Sequence, residues 1–314
     1  MELREVYPEI CFVLTTVAVT LSSLVIFLSY RVHRGSKKSE YAWIMAFNSV
    51  VDLFYSLTHG IVVPSAVVAT ASTVYLNIEN PYLRHIPAFA VQIAIFFTLV
   101  AALCPAPSNT VHFYYRYRML CKGDIWSKRQ YLGAYAIALT GIFFIAALFL
   151  ASGRIVTDGD ELMSIGGNGS SFRPHVVATL NHPLFLLCIS ACQLMFVVEY
   201  GIMMFSGQRI IHQARLGIRA ATTSTQKAQK RLIMVMVLQA LYPLVLYFVP
   251  CMYVTAMISM GVNFQNASYV AGISVQLLSP LNSISVLTLI PAYRRVLTRT
   301  APTNSATLFI SVTR

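Results

Sequence analysis

Charge is what this chain lacks. Only 11% of its 314 residues are Asp, Glu, Lys or Arg, against 57% hydrophobic, where a soluble domain carries roughly 25% charged residues. No lysine or arginine falls inside seven long apolar runs, at about 9–30, 42–68, 88–115, 131–152, 184–206, 232–258 and 268–291. That absence excludes a Schiff-base lysine of the retinal-binding kind within the membrane. No His-Glu-x-x-His and no nucleophile elbow is present, and the 7 histidines show no metal-ligand spacing within a run. An intramembrane enzyme, a cofactor and a metal are therefore not expected. Neither 71–87 nor 153–183 contains a cysteine, so no disulfide framework joins those two segments. An internal repeat of the transporter kind is missing as well. A transporter or ligand-gated channel remains the alternative function.

Membrane-spanning sequence makes up most of the chain. A span needs about 20 apolar residues, each run supplies them, and the mean hydropathy is +0.66. Of the 23 Lys and Arg, 19 fall in 31–41, 116–130, 207–231 and 292–314, and only four in the alternating segments. The positive-inside rule then puts the N-terminus outside and the C-terminus in the cytoplasm. The net charge of +12 follows from topology, not from a nucleic-acid surface. Arg31, Arg34, Lys37 and Lys38 follow the first run while Met1–Glu5 is not basic, which predicts a retained span and no cleaved signal. The expected fold is an all-α membrane protein, a seven-transmembrane helix bundle over 1–299 with a short polar cytoplasmic tail at 300–314. Asn168-Gly169-Ser170 is a glycosylation acceptor in the longest outer segment.

Polar residues inside the runs stand out. Asn48 and Asp52, four apart, share one helix face in the second. An ionisable group at mid-depth is costly and marks a functional site, and Glu199 in the fifth run is treated the same way. In Cys104-Pro105-Ala106-Pro107-Ser108-Asn109 two prolines remove two backbone donors, which predicts a kink or short unwinding that Ser108 and Asn109 help to satisfy. Pro243 and Pro250 bend the sixth run; Pro280 bends the seventh, two residues before Asn282. His59, Gln92, Phe96, His182, Tyr253 and Tyr269 in the outward halves form a pool for an apolar pocket that takes a small organic ligand. Cys188 and Cys192 read as small apolar fillers. At the inner ends Arg116, Arg118, Arg209, Arg215, Arg219, Lys227, Lys230, Arg231, Arg294 and Arg295 form a cationic rim suited to acidic lipid head groups or a protein partner.

Three stretches carry a family resemblance. They are Phe113-Tyr114-Tyr115-Arg116-Tyr117, then Ser224 to Leu232 leading into Gln239-Ala240-Leu241-Tyr242-Pro243, and Ile290-Pro291-Ala292-Tyr293-Arg294-Arg295. In this order and spacing the chain resembles the nematode serpentine chemoreceptors of the Str superfamily, the Srd branch in particular. The resemblance implies a G-protein-coupled receptor of the plasma membrane, on sensory neurons, that turns binding of a small ligand into activation of a heterotrimeric G protein. It implies coupling roles for Arg116, Tyr117, Arg118, Lys227, Lys230, Arg231, Tyr293 and Arg294. Arg116 resembles the arginine ending span 3 of rhodopsin-like receptors, although Tyr115 replaces the acidic residue that normally precedes it. Asp52 resembles their span-2 aspartate, and with Asn48, Pro243, Pro280 and Asn282 it makes up the implied polar core and switch.

Overall fold

The computed structural model describes residues 3–35, 40–70, 73–83, 85–124, 126–156, 175–220, 240–260 and 265–290, with single positions at 234, 237, 238, 293, 294 and 296. Asn168, Lys227, Lys230, Arg231, Arg295 and the tail 300–314 lie outside them.

Helices α1 (Leu3–Gly35), α2 (Glu40–Val62), α3 (Ala88–Leu103), α4 (Pro105–Lys122), α5 (Lys128–Ser152) and α6 (Pro183–Ala220) are followed by a π-helical turn, Leu244–Phe248, and by α7 (Val249–Met260), α8 (Gln265–Gln276) and α9 (Leu278–Leu289). With α3 running into α4, the π turn into α7 and α8 into α9, they make seven spans. In hydrocarbon every backbone polar group must be satisfied internally, which is why apolar runs of this length fold as helices. Exposed side chains such as Phe27, Leu194, Val197 and Ile137, the last 78% exposed, point outward along the spans and suit a surface bathed in lipid. Close helix approach needs small residues. A Cβ on Gly60 would collide with Thr15 between α2 and α1, and one on Gly272 would stand 2.5 Å from Tyr7 Oη between α8 and α1.

The prolines act less drastically than expected in the third span and more so in the sixth. Cys104 keeps right-handed helical dihedrals, φ −56° and ψ −37°. Its N–H reaches Val100 O at 3.0 Å, and the Ser108 N–H reaches Cys104 O at 3.3 Å. Pro105 is the first residue of α4, where a missing N–H costs least, so the span is interrupted by one residue without unwinding. Pro243 is followed by the π turn, in which the Val249 N–H bonds to Leu244 O, five residues back.

The helical bundle carries a four-stranded antiparallel sheet at one end, an element the apolar pattern did not announce. Strands β1 (Pro64–Thr70), β2 (Thr73–Ile78), β3 (Gly153–Val156) and β4 (His175–Thr179) lie in the order β1-β2-β4-β3. The second helix therefore ends at Val62 and does not continue to 68. Val63 makes the turn in a left-handed conformation, φ 49°, which a β-branched residue rarely adopts. Its N–H bonds to His59 O at 2.7 Å and its carbonyl accepts from the Glu79 N–H at 3.0 Å. β2 pairs with β4 from Thr73↔Thr179 to Asn77↔His175. All six cysteines are free, so this ladder does the work of joining the two segments that lack a disulfide.

At the opposite end, α4 stops at Gly123, whose φ of 69° suits glycine. The chain re-enters through a capping box, Ser127 with Gln130, at the start of α5.

Candidate functional site

A cavity of about 340 Å³ opens beneath the sheet, between β1, β2 and the helical bundle. Ser65 and Leu76 from the strands, Phe149 from α5, Phe185 and Phe196 from α6, and Val275 from α8 are among its walls. The π turn contributes Tyr247. Within that turn Tyr247 stands against Phe196, ring centroids 5.2 Å apart.

Of the six residues expected to form the pocket, only His59 lines it. Gln92 is exposed, and Tyr253 is 48% exposed. Phe96 packs on Phe97 and Phe143. His182 sits at the start of α6, its N–H bonded to Thr179 O at 3.0 Å. Tyr269 is buried and donates to Glu79 Oε1 at 3.4 Å. A helix offers several faces, and residue type alone does not tell which one turns inward. The wall residues missed were Tyr247, whose placement follows the π turn, and Cys188, Cys192, Cys251 and Gln193.

Below lies a polar core. Asn48 Nδ2 is 2.8 Å from His112 Nδ1, and Asn48 Oδ1 accepts from Ser108 Oγ at 2.9 Å and from Tyr131 Oη at 3.5 Å. Asn282 lies beside the Asp52 carboxyl. Ser22 Oγ lies 3.4 Å from Ser279 Oγ and 3.3 Å from Ser283 Oγ. Asn48, Asp52, Ser108, Asn109 and Asn282 surround a second cavity of about 20 Å³, room for about one water molecule. Asn48, Asp52 and Asn282 thus share one site, whereas Pro243 lies elsewhere, at the head of the π turn. Pro280 is the third residue of α9, one turn from Ser283. Among the described residues no three side chains are grouped to hold a metal ion.

The Arg116 end is more closed than a rim of solvated cations. Arg116 is 2% exposed, close enough to His112 and Tyr131 to act on both electrostatically. Tyr293 is buried with its hydroxyl 2.7 Å from Ser29 Oγ. Arg118 forms an ion pair with Asp124, Tyr117 stacks edge-on against Phe205 at 5.6 Å, and Arg294 is exposed. Arg116, expected on the cationic rim, is instead buried within the bundle, and the side chains of Arg215, Arg219, Lys227, Lys230, Arg231 and Arg295 lie outside the described residues.

The sequence matches, over residues 6–299, the family described as Serpentine type 7TM GPCR chemoreceptor Srd. The chain belongs to the Srd family. This Srd chain is thus a multi-pass membrane receptor of the G-protein-coupled chemoreceptor class, not an enzyme. Its fold is similar to that of squid rhodopsin, with a TM-score of 0.63 at 12% identity over 99% of this chain and 92% of that one. No curated protein matches the Srd chain by sequence.

Two of its family stretches reach into neighbouring helices. Tyr242, beside Pro243, accepts from Ser285 Oγ on α9 at 3.2 Å, and Tyr293 meets Ser29 on α1. Both tie the last span to its neighbours near the end where Arg116 is buried.

Proposed function

We propose that this Srd chain detects a small organic molecule in the cavity beneath the sheet and activates a heterotrimeric G protein at the Arg116 end. The observation that carries this is the 340 Å³ apolar cavity, of a size that suits small ligands, roughly 300–1,000 Å³. A ligand there touches the π turn through Tyr247 and thereby the sixth span. A shift in that span changes the populations of two arrangements of the helix ends, and those ends carry Tyr117, Arg118 and Arg294, with Lys227, Lys230 and Arg231 between the fifth and sixth. Asn48, Asp52 and Asn282 lie between cavity and coupling end as the switch. In this reading the sheet faces outward with the N-terminus and a glycosylated Asn168, the C-terminus is cytoplasmic, and the site of action is the plasma membrane of a sensory neuron.

The test is G-protein activation in cells expressing the full chain, screened with small odorants beside two variants matched for surface expression. Ala146→Trp fills the cavity wall and Arg116→Ala removes the buried arginine. Loss of the response in both supports the proposal. A ligand response that survives Ala146→Trp removes the cavity from it, and one that survives Arg116→Ala removes the arginine. Ligand-driven current or uptake without G-protein activation replaces it with the channel or transporter function.

A further inference from the structure

We infer that the cavity takes an uncharged, largely apolar molecule with one hydrogen-bonding group, and that His59 meets that group. The inference rests on the chemoreceptor reading for its biological sense, but its chemistry is read from the cavity walls. Among the described residues, none that lines the cavity is Asp, Glu, Lys or Arg. A carboxylate or ammonium placed there would lose its hydration with no opposite charge to replace it. The aromatic walls do not form a cage for a cation. Phe196 packs edge-to-face with Tyr247 at 5.2 Å, and Phe149 with Phe185 at 5.8 Å, so a ring face in each pair is already covered.

Several polar groups at the wall are committed to the protein itself. Ser65 Oγ donates to Glu79 Oε1 at 2.7 Å, Ser268 Oγ accepts from the Ala66 N–H at 2.9 Å, and Thr98 Oγ1 donates to Ala94 O at 2.7 Å. His59 differs. It is 93% buried, being 7% exposed, and its Nδ1 has no hydrogen-bond partner among the described residues. Its ring leans on Tyr55, centroids 4.4 Å apart, which fixes its position at the end of α2. Buried polar atoms are nearly always satisfied, and the His59 side chain forms part of the cavity wall. Because an imidazole nitrogen donates or accepts according to tautomer, an alcohol or a carbonyl compound fits equally.

The experiment uses the purified full chain in lipid nanodiscs and follows thermal unfolding with a thiol-reactive dye, which reports exposure of the buried cysteines. The probes are octan-1-ol, octane, octanoate and octylammonium, titrated separately. The expected result is an upward shift in melting temperature with octan-1-ol, at an apparent affinity roughly tenfold above that of octane, the worth of one hydrogen bond. The two ions give no shift. In His59→Leu the tenfold preference disappears while both neutral probes still bind. In Ala146→Trp, or in Ala102→Phe on the same cavity wall, all shifts disappear. Equal or greater stabilisation by either ion overturns the inference, as do shifts that persist in both filled variants, an undiminished preference in His59→Leu, and no shift with any neutral probe. None of these readouts involves a G protein. A chain that binds octan-1-ol as described yet activates no G protein leaves this inference standing and removes the proposed coupling.

Discussion

The Asn48 amide nitrogen stands 2.8 Å from His112 Nδ1, and the orientation of that amide is set from its other side. Its oxygen accepts from Ser108 at 2.9 Å, so the nitrogen is the donor toward His112. A ring nitrogen that accepts carries no proton, which places the proton of this imidazole on Nε2. One side chain thereby joins α2 and α4 and, through Tyr131, reaches α5. Replacing Asn48 by leucine is expected to cost about 1–3 kcal/mol, since interhelical bonds in membranes contribute about 0.6 and up to about 1.7 kcal/mol each. Thermal unfolding of the purified variant measures this, and an unchanged melting temperature refutes the role.

Ser29 and Tyr293 meet at 2.7 Å, far apart in sequence. Tyr293→Phe and Ser29→Ala are each expected to destabilise by about 0.6–1.7 kcal/mol, and the double variant by scarcely more than either. Additivity in that cycle would show that the two hydroxyls do not depend on one another.

Gly60 admits Thr15 where any Cβ collides. Gly60→Leu should lower stability by about 1–3 kcal/mol through overpacking. Gly60→Ala and Thr15→Gly together should cost less than the sum of the two single changes, a partial rescue, because Thr15 Cβ itself would stand 2.8 Å from the added Cβ. Failure of that rescue would move the strain elsewhere.

Glu79 is 1% exposed and accepts from Ser65 and Tyr269, so it fastens the end of β2 to both β1 and α8. Glu79→Ala removes the acceptor of both donors, at about 1–3 kcal/mol. Hydrogen exchange should speed up in 64–79 while α5 stays protected. Uniform acceleration across the bundle would mean global loss and not an unfastened sheet.

If Asn168 lies outside, Asn168→Gln abolishes a glycosidase-sensitive mobility shift of the full chain expressed in cells. A wild-type chain with no such shift counts against use of this acceptor.

Some of this architecture was legible without coordinates. Seven apolar runs free of lysine and arginine force helices, because a lipid environment leaves the backbone no other partners. The sheet was not legible: Pro64–Thr70 is apolar enough to extend the second helix, and only pairing with β2 makes it a strand. Nor was the pocket. Gln92 and Tyr253 have the right chemistry yet turn outward, whereas Tyr247 lines the cavity from within a π turn that no periodicity records.

The sequence by itself determined class, span number and family, since these depend on hydrophobic length and on motifs that local chemistry constrains. It also marked Asn48, Asp52 and Asn282, because polar groups inside an apolar run cannot be neutral in energy. Tertiary structure decided which of those groups meet, that Arg116 is buried, and that His59 alone among the expected residues faces the cavity. Those outcomes depend on helix rotation, on one extra residue in a turn and on strand pairing across distant segments. Such long-range geometry is fixed by packing, which a one-dimensional pattern does not contain.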